Sequence, residues 1–275
     1  MEYNLKSPKL IAADIDGTFL RPDRTYDRPR FERILKRMHA KGAKFVVASG
    51  NQIALLENLF PGFEGQISYV AENGALIRDE QDVIFAGNMD PYAVKRVLEV
   101  QRQHPEIQLV LCGVKSAYCQ RGLTDPRFFD FVNQFYGRLA WADDLQTIDD
   151  QVLKFALLVP EEQSHQYVDL FKQELGGLIE ATDTGFGYID LIVPGCHKAS
   201  GLQKLAERWN IDPQDCAAFG DGGNDIEMLK YCGLSFAMAN AKDAVKAAAQ
   251  YVCKSDAEDG VLEVLDQLYP EESQA

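Results

Sequence analysis

Polar side chains that could carry out chemistry stand where the sequence predicts that buried strands end. Asp14 and Asp16 follow the apolar run Leu10–Ala13, and the segment 220–225 (Gly-Asp-Gly-Gly-Asn-Asp) follows a later apolar run. Because ligands of open parallel sheets bind outside the carboxyl ends of the strands, we expect these groups to share one edge of a sheet. Comparable positions are occupied by Ser49, Glu72, Asn73 and Lys198, the last at the start of a predicted helix.

The carboxylates of this set predict a metal site. Four aspartates gathered at one edge would repel one another unless a cation lay between them, and carboxylate oxygens favour a hard ion such as Mg²⁺. Magnesium beside a lysine and a hydroxyl suits the transfer of a phosphoryl group, whose negative charge spreads over its peripheral oxygens. Within such a site Asp14 and Asp16 can divide the work, one as nucleophile and the other as proton donor to the leaving oxygen.

The elements that must position these residues show two patterns. At both ends of the chain, short apolar runs alternate with amphipathic segments, as in Leu10–Ala13, the helical spacing at 31–38 and the run Lys44–Ala48. This order is typical of a right-handed parallel α/β unit. From about residue 90 to residue 187, helices alternate instead with paired short strands, which indicates an α+β insert. The buried-strand pattern resumes at 190–193.

We therefore predict an α/β fold with two domains. A discontinuous parallel-sheet core would comprise residues 1–86 and 188–275, and an inserted α+β cap domain would comprise residues 87–187. The length of 275 residues agrees with this division, because single hydrophobic cores stop growing at about this size.

Composition and charge exclude several classes of protein. With 46% apolar and 25% charged residues the chain can bury a globular core, so it is not a disordered tail. Its 42 acidic and 28 basic residues give a formal net charge of −14, which disfavours nucleic acid and anionic membranes as partners. We find no signal segment and no apolar run near the ~18 residues of a membrane span. Six scattered cysteines without a C-x-x-C pair indicate reduced thiols and a cytoplasmic protein.

Four segments together resemble the motifs of a known enzyme superfamily. They are Asp14-Ile15-Asp16-Gly17-Thr18, Ser49, Lys198 and the segment 220–225, in that order. In residue type and order they resemble the haloacid dehalogenase superfamily of phosphatases. The resemblance is closest to the Cof-type sugar-phosphate phosphatases, to which 71–75, 188–202 and 236–241 are also similar. It implies a Rossmann-like parallel-sheet core with an α+β cap inserted between the second and third motifs.

The resemblance also implies a role for each matching residue. Asp14 would attack phosphorus to form an aspartyl-phosphate, and Asp16 would act first as acid and then as base. Lys198 would neutralise charge on the nucleophile and the phosphate. Asp14, the backbone carbonyl of Asp16 and Asp221 would ligate Mg²⁺, while Asp225 would orient these ligands. The substrate contacts that we predict are Thr18, Ser49, Gly50, Asn73, Lys198 and Asn224.

Other residues carry less specific signals. Asn51 stands where many relatives have arginine, so one cationic contact near the substrate is missing and the role of Asn51 stays open. A polar cluster in the insert would face the substrate or line a solvated strand edge. Its members are Lys115, Ser116, Tyr118 and Arg121. We expect His197 to be structural. The glycines of 220–225 lack the third glycine of a dinucleotide-binding loop, and no P-loop pattern occurs.

The sequence thus predicts a Mg²⁺-dependent phosphatase that hydrolyses small phosphomonoesters, with sugar phosphates as the expected class, through an aspartyl-phosphate. One alternative is a phosphomutase or phosphotransferase of the same superfamily, which passes the phosphoryl group to an acceptor other than water. A second is a non-catalytic aspartyl-phosphate signalling module, which would need neither a leaving-group acid nor a cap that excludes water. The sequence identifies neither the individual substrate nor the oligomeric state.

Overall fold

The computed structural model of the chain describes residues 6–271. Its first part comprises β1 (Leu10–Ala13), α1 (Arg28–Ala40), β2 (Lys44–Ala48), α2 (Ile53–Leu59), β3 (Ser68–Ala71), β4 (Leu76–Asp79) and β5 (Asp82–Ala86). Helix α1 illustrates how the local sequence sets an element. The Asp27 carboxylate accepts a hydrogen bond from the backbone N–H of Arg30 and caps the helix. Apolar residues at helical spacing then face the core: Phe31, Ile34, Leu35 and Met38.

The second part of the chain forms a separate sheet. Its elements are α3 (Pro91–Gln103), β6 (Gln108–Gly113), β7 (Ala117–Gln120), α4 (Pro126–Val132), β8 (Leu139–Ala142), β9 (Val152–Leu158), α5 (Ser164–Leu175), β10 (Glu180–Gly185) and β11 (Tyr188–Ile192). The strand order is β10-β11-β9-β6-β7-β8, and the neighbours are antiparallel except for β7 and β8. An apolar cluster fills the space between this sheet and the helices α3 and α5.

The last part of the chain returns to the first sheet. It comprises α6 (Lys198–Arg208), β12 (Cys216–Gly220), α7 (Ile226–Tyr231), β13 (Leu234–Ala237), α8 (Asp243–Ala248), β14 (Tyr251–Val252) and α9 (Gly260–Leu268). The sheet has the order β14-β13-β12-β1-β2-β3-β4-β5, in which the pairs β3–β4 and β4–β5 are antiparallel and the other pairs are parallel. The predicted fold class, an α/β parallel-sheet core with an α+β insert, is confirmed.

One predicted boundary is wrong. Residues 188–192 were predicted to lie in the core, but β11 pairs with β9 and β10 in the second sheet. Its inward side chains Ile189 and Leu191 belong to the apolar cluster of that sheet. A short apolar run has the same composition in either sheet, so its pattern could not indicate which sheet it joins. The second sheet therefore extends to Ile192, and the chain re-enters the first sheet's layer with α6.

The register of the parallel strands aligns the loops that carry the predicted site. Ala13, the last residue of β1, is level with Phe219 of β12 and with Val47 of β2, and Ala48 is level with Val70 of β3. The carboxyl ends of four adjacent strands therefore open at the same edge of the sheet. The polar residues that follow them are brought together there.

Candidate active site

A buried lysine joins two of the predicted aspartates. Lys198 begins α6 and is 1% exposed, and its Nζ lies 2.6 Å from Oδ1 of Asp14 and 2.6 Å from Oδ1 of Asp225. Asp14 follows β1 and Asp225 precedes α7, so segments far apart in the sequence meet at this ammonium. A lysine at a helix N-terminus interacts unfavourably with the helix dipole, and the two carboxylates offset this cost.

Burial and ion pairing act in opposite directions on the charges of Lys198 and Asp14. Burial opposes the charge on Lys198, but Asp14 and Asp225 outweigh it and raise the pKa of the ammonium above its usual value. Burial also raises the pKa of Asp14; Lys198 opposes that increase, whereas Asp225 and Asp221 add to it. Three carboxylates facing one ammonium leave the site short of positive charge, which a bound cation would supply.

The carboxylates converge closely enough to share an ion. One oxygen from each of Asp14, Asp221 and Asp225 lies within 4.8 Å of the others. Both oxygens of Asp225 already have partners, because Oδ1 accepts from Lys198 and Oδ2 accepts from the backbone N–H groups of Asp221 and Gly222, at 3.0 and 2.9 Å. Asp225 is therefore suited to shape the loop, while Asp14 and Asp221 are better placed as ligands.

The loop that follows β1 is held by contacts with the loop 220–225 and with Asn240. The Thr18 hydroxyl donates to Oδ1 of Asp221 at 2.9 Å, and the Asn240 side chain donates to the carbonyl of Gly17 at 2.7 Å. Gly17 has φ +74°, and a Cβ on it would lie 2.5 Å from Oδ2 of Asp221. Only glycine lets the two loops approach so closely at this point.

Asp16 lies at the more open side of the group. Its side chain is 51% exposed, and its Oδ2 accepts a hydrogen bond of 2.6 Å from the side-chain amide of Asn51. Arg24 Nη1 lies 3.5 Å from the other carboxylate oxygen. The residue that departs from the family pattern is therefore in contact with the predicted acid.

A strained turn supports the loop that begins at Ser49. Glu72, Asn73 and Gly74 all have left-handed backbone conformations, with φ of +50°, +53° and +91°. The backbone N–H of Asn73 donates to the carbonyl of Ser49 at 3.1 Å. A Cβ on Gly74 would lie 2.4 Å from the carbonyl oxygen of His197, so the turn is wedged against the start of α6.

Asn73 links the two sheets. Its Nδ2 donates to Oδ2 of Asp190 in β11 at 3.1 Å, and its Oδ1 accepts from Nδ2 of Asn224 at 3.1 Å. Asn73 and Asn224 were both predicted to contact the substrate, and the structure brings them into contact with each other. Asp190 was assigned no role in the sequence analysis.

A cleft of about 830 Å³ lies between the two sheets. Predicted site residues on its wall are Gly50, Asn73, Lys198, Asp221 and Asn224. The second sheet and its connections contribute Phe135, Lys154, Glu180, Thr182, Asp183 and Asp190. The remaining predicted residues, Asp14, Asp16, Thr18 and Ser49, are tied to this wall by the contacts described above. The cleft thus has the predicted loops on one side and a polar strand surface on the other.

Two other predictions have clear outcomes. The polar cluster at 115–121 is not on the wall of the cleft, and β7 lies between β6 and β8, so it is not an edge strand either. The backbone N–H of Lys115 and the hydroxyl of Tyr118 instead donate to Oδ2 of Asp150, each at 3.0 Å. His197 is structural as expected, because its Nδ1 accepts from the backbone N–H of Ser200 and caps α6.

Lys154 is a residue of the site that was not predicted from the sequence. This lysine is 5% exposed, and its Nζ donates to the carbonyl of Gly50 at 2.8 Å and pairs with Oε2 of Glu72 at 3.1 Å. A single charged residue inside the apolar run Val152–Leu158 was the available signal, since lysine is almost never buried unless it is paired.

Comparison with known proteins settles the family. A family model described as haloacid dehalogenase-like hydrolase matches residues 11–265. The chain belongs to this family. The resemblance seen in the motifs, including the Cof-type branch, is confirmed, and so is the prediction that the chain is a phosphatase rather than a non-catalytic module.

Individual relatives cover nearly the whole chain. It is 41% identical over 267 residues to the 5-amino-6-(5-phospho-D-ribitylamino)uracil phosphatase YbjI of Escherichia coli, with 97% of this chain and 98% of that protein covered. The crystal structure of SMU.1108c from Streptococcus mutans is 38% identical, with a TM-score of 0.87 over 94% of this chain and 98% of that one. The subclass IIB sugar phosphatase BT4131 shares the fold at 23% identity and a TM-score of 0.78, over 94% and 98% of the two chains. Across residues 6–271, no helix has the length and apolar character that crossing a bilayer requires.

Proposed function

We propose that the chain is a Mg²⁺-dependent phosphatase that hydrolyses small phosphomonoesters through an aspartyl-phosphate on Asp14. The observation that carries this proposal is the position of Lys198, which contacts both Asp14 and Asp225 in a buried site. The ammonium holds the Asp14 carboxylate in one orientation and supplies positive charge where phosphoryl oxygens would bind.

Magnesium fits the residues that are present. The donors are all oxygen atoms, and the converging carboxylates carry more charge than Lys198 can balance. Asp14, Asp221 and the backbone carbonyl of Asp16 would hold the ion, while Asp225 keeps the loop in place through its bonds to two backbone N–H groups. When bound, the ion would neutralise charge on the phosphoryl oxygens.

The chain's own residues account for both halves of the reaction. A carboxylate oxygen of Asp14 forms a bond to phosphorus while the bond from phosphorus to the leaving oxygen breaks, and Asp16 gives its proton to that oxygen. Asp16 then takes a proton from water, whose oxygen attacks the phosphorus of the aspartyl-phosphate. Inorganic phosphate leaves, and Asp14 returns to its carboxylate form. Thr18, Ser49, Gly50, Asn73, Lys198 and Asn224 are the proposed contacts of the phosphate or the substrate.

The far wall of the cleft supports sugar phosphates as the substrate class. Its lining includes Thr182 and Glu180, which carry a hydroxyl and a carboxylate. Carboxylates and hydroxyls can bond the hydroxyl groups of a sugar or a polyol, whereas a leaving group with a second phosphate would meet like charge.

A narrower candidate comes from the E. coli relative, whose name gives its substrate as a phosphorylated ribityl chain joined to a uracil ring. Phe135 favours a substrate of this kind. It lies on the cleft wall and is 41% exposed, which offers an apolar surface against which a planar ring can stack. The proposed place of action is the cytoplasm, because all six cysteines are buried free thiols.

The test is release of inorganic phosphate from a panel of sugar phosphates, polyol phosphates and phosphorylated ribitylaminopyrimidines, with Mg²⁺ and with a chelator. We expect turnover only with Mg²⁺ and no turnover by Asp14→Asn, whose folding is checked by circular dichroism. Transfer of the group to a second sugar without phosphate release would instead identify a phosphotransferase. A D14N variant with near-normal turnover would exclude Asp14 as the nucleophile.

A further inference from the structure

The strand β9 carries a buried charge that the proposed reaction does not use. Lys154 projects from this strand of the second sheet towards loops of the first sheet. Its Nζ lies 2.8 Å from the carbonyl oxygen of Gly50, 3.1 Å from Oε2 of Glu72 and 3.6 Å from Oδ2 of Asp190. Gly50 and Glu72 belong to the first sheet's loops, so the ammonium bridges the cleft.

Stability alone does not account for this cluster. Glu72 is 1% exposed, and burial raises the pKa of its carboxyl, an effect that Lys154 opposes. Desolvation of such a pair costs roughly as much as the ion pair returns, so apolar side chains of similar volume would support the fold equally well. The charged group instead fixes an orientation, because the ammonium of Lys154 holds the carbonyl of Gly50 in a loop next to the reaction site.

The contact with Gly50 continues to the predicted phosphate-binding hydroxyl. The peptide group whose carbonyl accepts from Lys154 also contains the N–H of Asn51, and that N–H donates to Oγ of Ser49 at 3.1 Å. Hydrogen bonding at the carbonyl polarises the peptide and strengthens its N–H as a donor. Because Ser49 Oγ accepts here, its own proton is left to donate to another acceptor, such as a phosphoryl oxygen.

The same loop also reaches the predicted acid. The side chain of Asn51 holds the carboxylate of Asp16, and the carbonyl of Asn51 accepts from the backbone N–H of Glu72 at 3.1 Å. Lys154 therefore binds the segment 49–51 at the Gly50 carbonyl, and the backbone of Glu72 binds it at the Asn51 carbonyl. Ser49 at one end of the segment is a proposed phosphate contact, and Asn51 at the other end contacts the proposed acid Asp16.

We propose that Lys154 is a positioning residue, which fixes the segment 49–51 for phosphate binding from the opposite side of the cleft. The inference rests on the proposed function, because it assigns Lys154 to the same phosphate site. On this proposal, Lys154 strengthens phosphate binding through its hydrogen bond to the Gly50 carbonyl. Neutralising the charge of Glu72 would not by itself account for that effect.

The test separates these two effects with two variants of the full chain. Lys154→Met removes the cation at similar length, and the double variant Lys154→Met with Glu72→Gln also removes the fully buried carboxylate of Glu72, which would be left without its cation. Lys115→Met is the matched control, because Lys115 is an exposed lysine of the same sheet region that pairs with Asp149 away from the cleft. The measurements are the dissociation constant of inorganic orthophosphate by calorimetry with Mg²⁺, kcat and KM for a sugar phosphate, and the melting temperature.

We expect both Lys154 variants to bind orthophosphate about tenfold more weakly, because each loses the charged hydrogen bond that positions the Gly50 carbonyl. The double variant should have a higher melting temperature than the single variant. The control should stay within about twofold of the parent in every measurement. The inference is overturned if the double variant recovers the parent's orthophosphate affinity, or if K154M lowers only the melting temperature. Failure of the parent chain to release phosphate from any ester would instead overturn the proposed function, and the binding comparison would still report on Lys154.

Discussion

The side-chain amide of Asn51 donates a hydrogen bond to the carboxylate of Asp16, with 2.6 Å between Nδ2 and Oδ2. Asn51 occupies the place where the family pattern often has arginine, so a neutral donor here replaces a cation. An amide orients the carboxylate without adding a full charge beside it. The nearest cation on that carboxylate is instead Arg24, whose Nη1 lies 3.5 Å from Oδ1.

The first prediction concerns this contact. Asn51→Ala should lower kcat/KM for a sugar phosphate by about tenfold, because Asp16 loses the donor that aims it at the leaving oxygen. An activated aryl phosphate has a leaving group that needs little protonation, so its hydrolysis should fall much less. The two substrates are compared under saturating Mg²⁺. Equal losses on both would show that Asn51 acts on something other than the proton transfer.

The second prediction concerns the buried ammonium. Lys198→Met should lower the free energy of unfolding by about 3–5 kcal/mol, because it leaves Asp14 and Asp225 buried without their partner. Urea denaturation of the metal-free protein measures this loss. Adding Asp225→Asn to K198M removes one of the unpaired charges and should recover part of the stability. A loss below about 1 kcal/mol in the single variant would contradict a structural role for the ion pairs of Lys198 with Asp14 and Asp225.

Sequence reasoning placed the residues at the strand ends well, for a physical reason. Asp14, Ser49 and Asp221 follow buried parallel strands, and the strand order alone sends such positions to one edge. Neither the handedness of the crossover connections nor the length of the intervening helices had to be known. For these residues, the local sequence pattern is enough to predict where they lie in the fold.

Contacts across the cleft could not be predicted in this way. Lys154 and Asp190 reach the site from a second sheet, and their positions depend on how that sheet lies over the first. The strand that carries Asp190 was assigned to the wrong sheet, since its apolar pattern is the same in either place. The contacts of Lys154 with Gly50 and of Asn73 with Asp190 join residues 104 and 117 positions apart, where local periodicity gives no information. The helix α9 was also missed, although its buried apolar residues recur at helical spacing, so its signal was local.

The third prediction tests the strained turn. Gly74→Ala should destabilise the protein by about 2 kcal/mol more than Gly177→Ala, which serves as the control. Both glycines have left-handed φ, +91° and +86°, so both variants bear the same backbone strain. Only at Gly74 would the new Cβ meet a carbonyl, that of His197, whereas nothing lies within 4 Å at Gly177. Equal unfolding free energies for the two variants would show that the turn can move away from α6.

The fourth prediction concerns pH and the metal. Burial raises the pKa of Asp14 and is also the largest cause of the raised pKa of Asp221, so protons compete with Mg²⁺ for both carboxylates. A carboxyl whose pKa is higher in the folded than in the unfolded protein stabilises the fold below its unfolded pKa. That contribution is lost as the pH rises through the folded pKa, where the ionised oxygens become free to bind the ion.

Stabilisation by Mg²⁺ should therefore grow with pH. Between about pH 6 and about pH 8, the Mg²⁺ concentration that gives half of the rise in melting temperature should fall, by up to about tenfold per pH unit for each proton displaced. Melting curves across a Mg²⁺ series at several pH values measure this midpoint. The variant D14N has no proton to lose at that position, so its midpoint should vary less with pH. A midpoint that is constant with pH in the unmodified protein would mean that Asp14 is already ionised before the metal arrives, and that Lys198 outweighs the effect of burial.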